Sequence, residues 1–103
     1  MKKIRVRWKT ASVDEFLVRH GDILTAEHVF LLSDDPPPMG MHVRFELLLA
    51  DGTAFLVGTA TVIHDERGGR PGMVLLFDEV EPEYSWLIAK LERRAAAADE
   101  VQS

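Results

Sequence analysis

Met41-His42-Val43-Arg44-Phe45-Glu46-Leu47-Leu48-Leu49-Ala50-Asp51-Gly52-Thr53-Ala54-Phe55 reads as a long strand running into a tight turn. Met41, Val43, Phe45, Leu47 and Leu49 fall on one face, with His42, Arg44 and Glu46 on the other; this is the two-residue period of a strand buried on one side. Asp51-Gly52 tolerates the positive φ angles of a short hairpin, and apolar runs flank it on both sides. The β-branched content of the return predicts a second strand from about Ala54 to His64. Gly58 inside it marks a bend or a close backbone approach.

Outward from this hairpin the pattern stays mainly β. Ile4, Val6 and Trp8 alternate with Arg5, Arg7 and Lys9, which predicts a half-buried first strand. Ser12 with Glu15 three residues on predicts a capping box opening a short helical turn that carries Phe16 and Leu17. Asp22–Leu32 reads as a second extended run, and Pro36-Pro37-Pro38 as a rigid loop. Gly68-Gly69 and Pro71-Gly72 form the next predicted turn region, followed by a strand over Met73–Phe77. Pro82 suits the first turn of a helix whose apolar stripe is Tyr84, Leu87, Ile88 and Leu91. Residues 1–94 are expected to form one domain, with 95–103 a frayed tail. Several antiparallel strands closed by one helix imply a small barrel or curled sheet.

Composition removes several function classes. The chain has 103 residues, 47% hydrophobic and 28% charged, which suits one globular domain with a modest core. It contains no cysteine, so disulfides, thiolate catalysis and cysteine-bound zinc are excluded. A net charge of -5 disfavours phosphate-driven nucleic-acid binding. No run approaches the roughly 18 apolar residues of a membrane span, and no signal-peptide pattern opens the chain, so a cytoplasmic location is expected. His20, His28, His42 and His64 show no close metal-ligand spacing and sit on separate segments. The serines lack a nucleophile-elbow context, and no phosphate-cradling glycine loop is present. No enzyme, catalytic residue, cofactor or metal ligand is therefore assigned.

Val13-Asp14-Glu15-Phe16, Phe30-Leu31, Pro38-Met39-Gly40, Phe45-Glu46-Leu47-Leu48-Leu49-Ala50-Asp51-Gly52 and Arg70-Pro71-Gly72-Met73, with Phe77 behind it, occur in an order that resembles the PilZ domain. The match is to the branch common in gliding and predatory bacteria and covers most of the chain. The resemblance implies a six-stranded antiparallel barrel with a C-terminal helix, and a core-packed His64, since relatives often carry tryptophan at that place. In this family cyclic di-GMP is held by Arg-x-x-x-Arg ahead of the first strand and by Asp/Asn-x-Ser-x-x-Gly on a strand. Here Ile23, Thr25 and His28 stand at the acidic or amide, serine and glycine positions of the second motif. Isoleucine makes no hydrogen bond to guanine, and the histidine fills space the ligand would need. Arg-x-x-x-Arg is absent from all 103 residues. The nearest spacing, Arg5 to Lys9, lies on the first strand, whereas the resemblance places the motif before it, and lysine lacks the planar fork of arginine.

A degenerate, non-catalytic PilZ-like adaptor is the expectation. It would act through protein partners in bacterial signalling, with motility or cell polarity as output. Ile23, Val74 and Leu76 would make an outer barrel face apolar, or pack beneath the helix or loops. Trp86, off the helical stripe, would anchor a partner or cover the barrel end. Arg5 and Arg7 would supply an electrostatic edge. The alternative is a cyclic di-GMP receptor with a rebuilt site of Arg5, Arg7, Lys9 and Thr25. The third reading is a scaffold that dimerises through its helix or an edge strand.

Overall fold

Alternation along β3 (His42–Leu48) turns Val43, Phe45 and Leu47 fully inward and Arg44 and Glu46 outward, as the sequence predicts. The computed structural model describes residues 1–102, with side chains as far as Asp99. At the turn the Thr53 N–H donates to the Asp51 carboxylate (2.9 Å), and the chain returns as β4 (Ala54–Arg67). A bulge in the β3–β4 ladder, between Leu47 and Leu48, lets the consecutive residues Phe55 and Leu56 both be buried. A turn at Gly68-Gly69 then leads β4 into β5 (Arg70–Val80), and β5 pairs antiparallel with β2 (His28–Leu32).

Gly58 marks the close backbone approach expected of it. It lies opposite Val80 where the β4–β5 register shifts, and a β-carbon there would run into the Glu79 carbonyl oxygen.

With β1 at Lys2–Arg7, the architecture is α/β: a five-stranded mixed open sheet in the order β1-β3-β4-β5-β2, with a short N-terminal helix and a long C-terminal one. The six-stranded antiparallel barrel is thereby corrected on three counts. β1 runs parallel to β3, and the described residues form five strands. Among the described residues no ladder joins β1 to β2, so the sheet does not close. The second extended run, Asp22–Leu32, is not one continuous strand. The Thr25 hydroxyl accepts from the N–H groups of Glu27 (3.2 Å) and His28 (3.1 Å), a local turn that breaks the run and folds Leu24 back beside Val29. Conversely, the third turn is tighter than expected, and Pro71 and Gly72 lie inside β5.

One core fills the inner face. Val29 and Leu31 of β2 and Met73 and Leu75 of β5 join the β3 and β4 residues in a single cluster, with Ile4 and Val6 of β1 and the following Trp8 packed against it. α1 (Val13–His20) starts at Ser12, whose Oγ accepts the Glu15 N–H (3.1 Å), while the Glu15 carboxylate takes the Ala11 N–H (3.0 Å). The box forms with its return arm one residue earlier than the standard pattern. Phe16 of this helix meets Trp8 edge-on and Phe55 at a tilt, each with ring centroids 4.9 Å apart. Pro82–Tyr84 form a 3-10 turn into α2 (Ser85–Gln102), which buries Leu87 and Leu91 and packs Tyr84 and Ile88 against the cluster, the stripe expected of it. A Lys90–Asp14 pair (2.9 Å) ties α2 to α1. The backbone over residues 95–102 continues α2; Ser103 lies outside the described residues.

Thr10 is buried just after β1, and its hydroxyl has no hydrogen-bond partner among the described residues. An unpaired buried hydroxyl carries its desolvation cost without return. Thr10→Val keeps the branched shape and is expected to raise the unfolding free energy by about 1 kcal/mol. The urea midpoint measures it, and a lowered midpoint would contradict the assignment.

Candidate functional site: an apolar outer strip and an open cleft

The register places Ile63, Val74 and Phe30 side by side on the outer face of β4, β5 and β2, with Thr61, Leu76 and His28 in the next row. Leu32 continues the same face beyond Phe30. Ile63, Leu76 and Leu32 are 37, 41 and 49% exposed, and Val74 is half-buried. Val74 and Leu76 thus form part of an apolar strip on the outside of the sheet. Phe30 is buried on that face for two reasons. Gly72 leaves room for its ring, which would lie 2.6 Å from a β-carbon there, and the Arg67 guanidinium covers it at 4.2 Å from the ring centroid.

The other predicted contact residues do not join this strip. Ile23 packs against the core and lines the cleft described below. Trp86 is half exposed on α2 and is not part of the core cluster. Arg5 and Arg7 project from β1, where Arg5 binds Glu46 (2.9 Å) alongside Lys3 (3.1 Å). The hydrogen bond from Lys3, helped by the nearby charges of Arg5 and Arg44, holds the Glu46 carboxyl below its usual range. The sign follows from linkage. A lowered carboxyl favours the fold above the ordinary carboxylate pKa, and that contribution is lost as pH falls through the lowered value.

Thr25 and His28 are turned to local use. The Thr25 hydroxyl, besides capping the turn, contacts His28 Nδ1 at 3.2 Å. Arg5 and Arg7 line a shallow depression with Leu48 and Gly52, whereas Thr25 lines a different one beside Leu91 and Arg94. The components of a rebuilt nucleotide site are therefore not assembled around one depression.

Two histidines take roles the sequence did not reveal. His64 is exposed, not packed in the core, and its Nε2 lies 2.6 Å from the Pro37 carbonyl, fixing the proline loop. His42 sits with Thr61 and Asp78 on the outer face. Thr61 Oγ1 and Asp78 Oδ2 both lie 3.2 Å from His42 Nδ1, and Thr61 donates to both Asp78 oxygens at 3.1 Å. A proton relay needs the acid and the nucleophile on opposite ring nitrogens. With both on Nδ1, the trio is a surface hydrogen-bond cluster. Among the described residues no three His, Asp or Glu side chains are placed to hold a metal ion, and no helix is long and apolar enough to cross a membrane.

A cleft of about 590 Å³ lies between β1 and β2. Val6 and Trp8 line one side, and Phe30, Leu31, Leu32 and Ser33 the other. Arg67 and Arg70, which flank the Gly68-Gly69 turn, stand at it together with His20 and Asp22. Sequence reading missed this site because its parts come from distant segments with no shared period. The one available signal was Arg67-Gly68-Gly69-Arg70, where a two-glycine turn brings two guanidiniums to the tip of one hairpin. Comparison of the chain with protein-family models, with curated proteins and with solved structures returns no match.

Proposed function

We propose that the chain is a non-catalytic, PilZ-like interaction module that regulates a cytoplasmic bacterial signalling system, with motility or cell polarity as its output, and that it does not read cyclic di-GMP. The observation that carries this reading is the outer strip. Ile63, Val74 and Leu76 are neighbouring apolar residues on the outer face of β4 and β5, and Leu32 lies on the same face of β2. Clustered exposed apolar area marks partner sites, whereas scattered single residues do not. The local hydrogen bonding of Thr25 and His28 supports the second half of the proposal, since neither side chain is held open for a guanine edge. The engagement of Arg5 by Glu46 counts against the rebuilt nucleotide site.

The test is retention of a host partner on immobilised protein. Leu76→Asp places a charge in the strip next to Val74 while leaving the core untouched. It is expected to weaken retention by roughly a hundredfold, the loss typical of a hot-spot residue. Stability should change by no more than about 0.5 kcal/mol, as for other exposed positions. Equal retention by the variant would contradict the strip as the contact surface.

A further inference from the structure

The cleft between the outermost strands is built along a sheet edge. Phe30, Leu31 and Leu32 of β2 and Ser33 just after it line the cleft in succession. Successive strand side chains point to opposite faces, so a depression on one face would be lined by every second residue. Four in a row mean that the strand's free edge forms the wall. That edge is already paired over its first half. Thr25 N–H donates to the His28 carbonyl and Phe30 N–H to the Ile23 carbonyl, both at 2.9 Å. Leu31 and Ser33 turn their backbone groups toward β5, so those of Leu32 point the other way. Among the described residues the Leu32 N–H and carbonyl meet no backbone partner beyond β2. On the opposite side, the Trp8 N–H is bonded to the Leu48 carbonyl of β3, which by alternation turns the Arg7 backbone toward the open side of β1.

Charge defines what the cleft would take. Arg70 makes no ion pair among the described residues, and Arg67 stays over the Phe30 ring with Asp65 at 3.5 Å. Asp22 is the one carboxylate lining the cleft, against these two guanidiniums, in a chain whose net charge is -5. An anionic guest is favoured there and a cationic one disfavoured.

We propose that the cleft is a docking groove for one extended segment of a partner protein, alternating apolar with acidic residues. The segment pairs with the Leu32 main chain and extends the ladder that residues 23–25 begin on β2. Its apolar side chains enter toward Trp8, Ile23 and Met73, and its carboxylates reach Arg70 and Arg67. Strand addition of this kind takes its affinity from main-chain hydrogen bonds and its selectivity from alternate side chains. The inference rests on the interaction-module reading and names a second contact surface for it.

The test is titration of the full-length, 15N-labelled chain with three synthetic peptides. The first is acetyl-Thr-Val-Glu-Val-Glu-Val-Thr-amide, the second its lysine-for-glutamate counterpart, and the third the first peptide with alternate backbone nitrogens methylated. The acidic peptide is expected to shift the Leu32 amide saturably and to slow its hydrogen exchange by roughly tenfold or more, with the other two peptides at least about tenfold weaker. Arg70→Glu, at an exposed hairpin tip, should reverse the preference between the acidic and basic peptides. Absence of a saturable Leu32 shift up to about 1 mM peptide would overturn the proposal. So would equal binding of the methylated peptide, which would show a site for side chains or small anions, or sedimentation showing a second copy of this chain in the groove. Host-partner retention separates this failure from failure of the broader reading. Loss with Leu76→Asp but not Arg70→Glu keeps the interaction module and removes the groove, whereas loss with neither removes both.

Discussion

Replacing Phe45 with alanine is expected to lower the unfolding free energy by about 3–5 kcal/mol, the range for emptying a buried aromatic site. Phe45 is wholly buried at the middle of β3, with Ile4 of β1 on one side and Gly58 of β4 on the other. Its ring stacks on Phe77, centroids 4.9 Å apart and planes 17° from parallel. Three strands thus converge on one side chain, and the glycine opposite offers nothing to fill the space it would leave. A loss of this size compares with a total stability of roughly 5–15 kcal/mol for a domain of this kind. Urea denaturation followed by circular dichroism would measure it. A loss below about 1 kcal/mol would mean that the core collapses around the gap or that Phe45 lies elsewhere.

Gly58→Ala is expected to cost about 3 kcal/mol, the upper part of the overpacking range, although it adds only a methyl group. The added carbon would meet the Glu79 carbonyl oxygen, with the Val80 Cα at 3.0 Å and the Glu79 carbonyl carbon at 3.1 Å. All three are backbone atoms, so no side chain can swing away to relieve the clash. The strands would have to part where their register shifts, and Asp78 beside that shift would lose its alignment with Thr61 and His42. The same urea titration reads the cost, and the Thr61 amide resonance reads the local change. A variant as stable as the parent would contradict the close approach of β4 and β5.

What the sequence carried well was local. Alternation in Met41–Leu49, the Asp51-Gly52 turn, the Ser12 cap and the Tyr84–Leu91 stripe each follow from a few neighbouring residues, and each reappears in the fold. Pairing was harder to read. The alternation of Ile4, Val6 and Trp8 says which face is buried but not which strand lies alongside, so the parallel β1–β3 ladder was invisible. In Asp22–Glu27 the apolar content suggested a strand, while the Thr25 hydroxyl offered the backbone a turn instead. Pro71-Gly72 looked like a turn because either residue can make one, yet Gly68-Gly69 alone reverses the chain. The outer strip was half legible. Val74 and Leu76 share the parity of one strand, but Ile63 and Leu32 join them only through register. The cleft depends on both edges of the sheet at once, which no single window of sequence contains.

The central claim is that this domain acts through protein contacts and not through a nucleotide. Calorimetric titration of the full chain with cyclic di-GMP tests it most directly. The expected result is no heat beyond dilution, because Thr25 and His28 are bonded to each other and Arg5 to Glu46. Saturable binding in the micromolar range, lost on Arg5→Ala or Arg7→Ala, would contradict it.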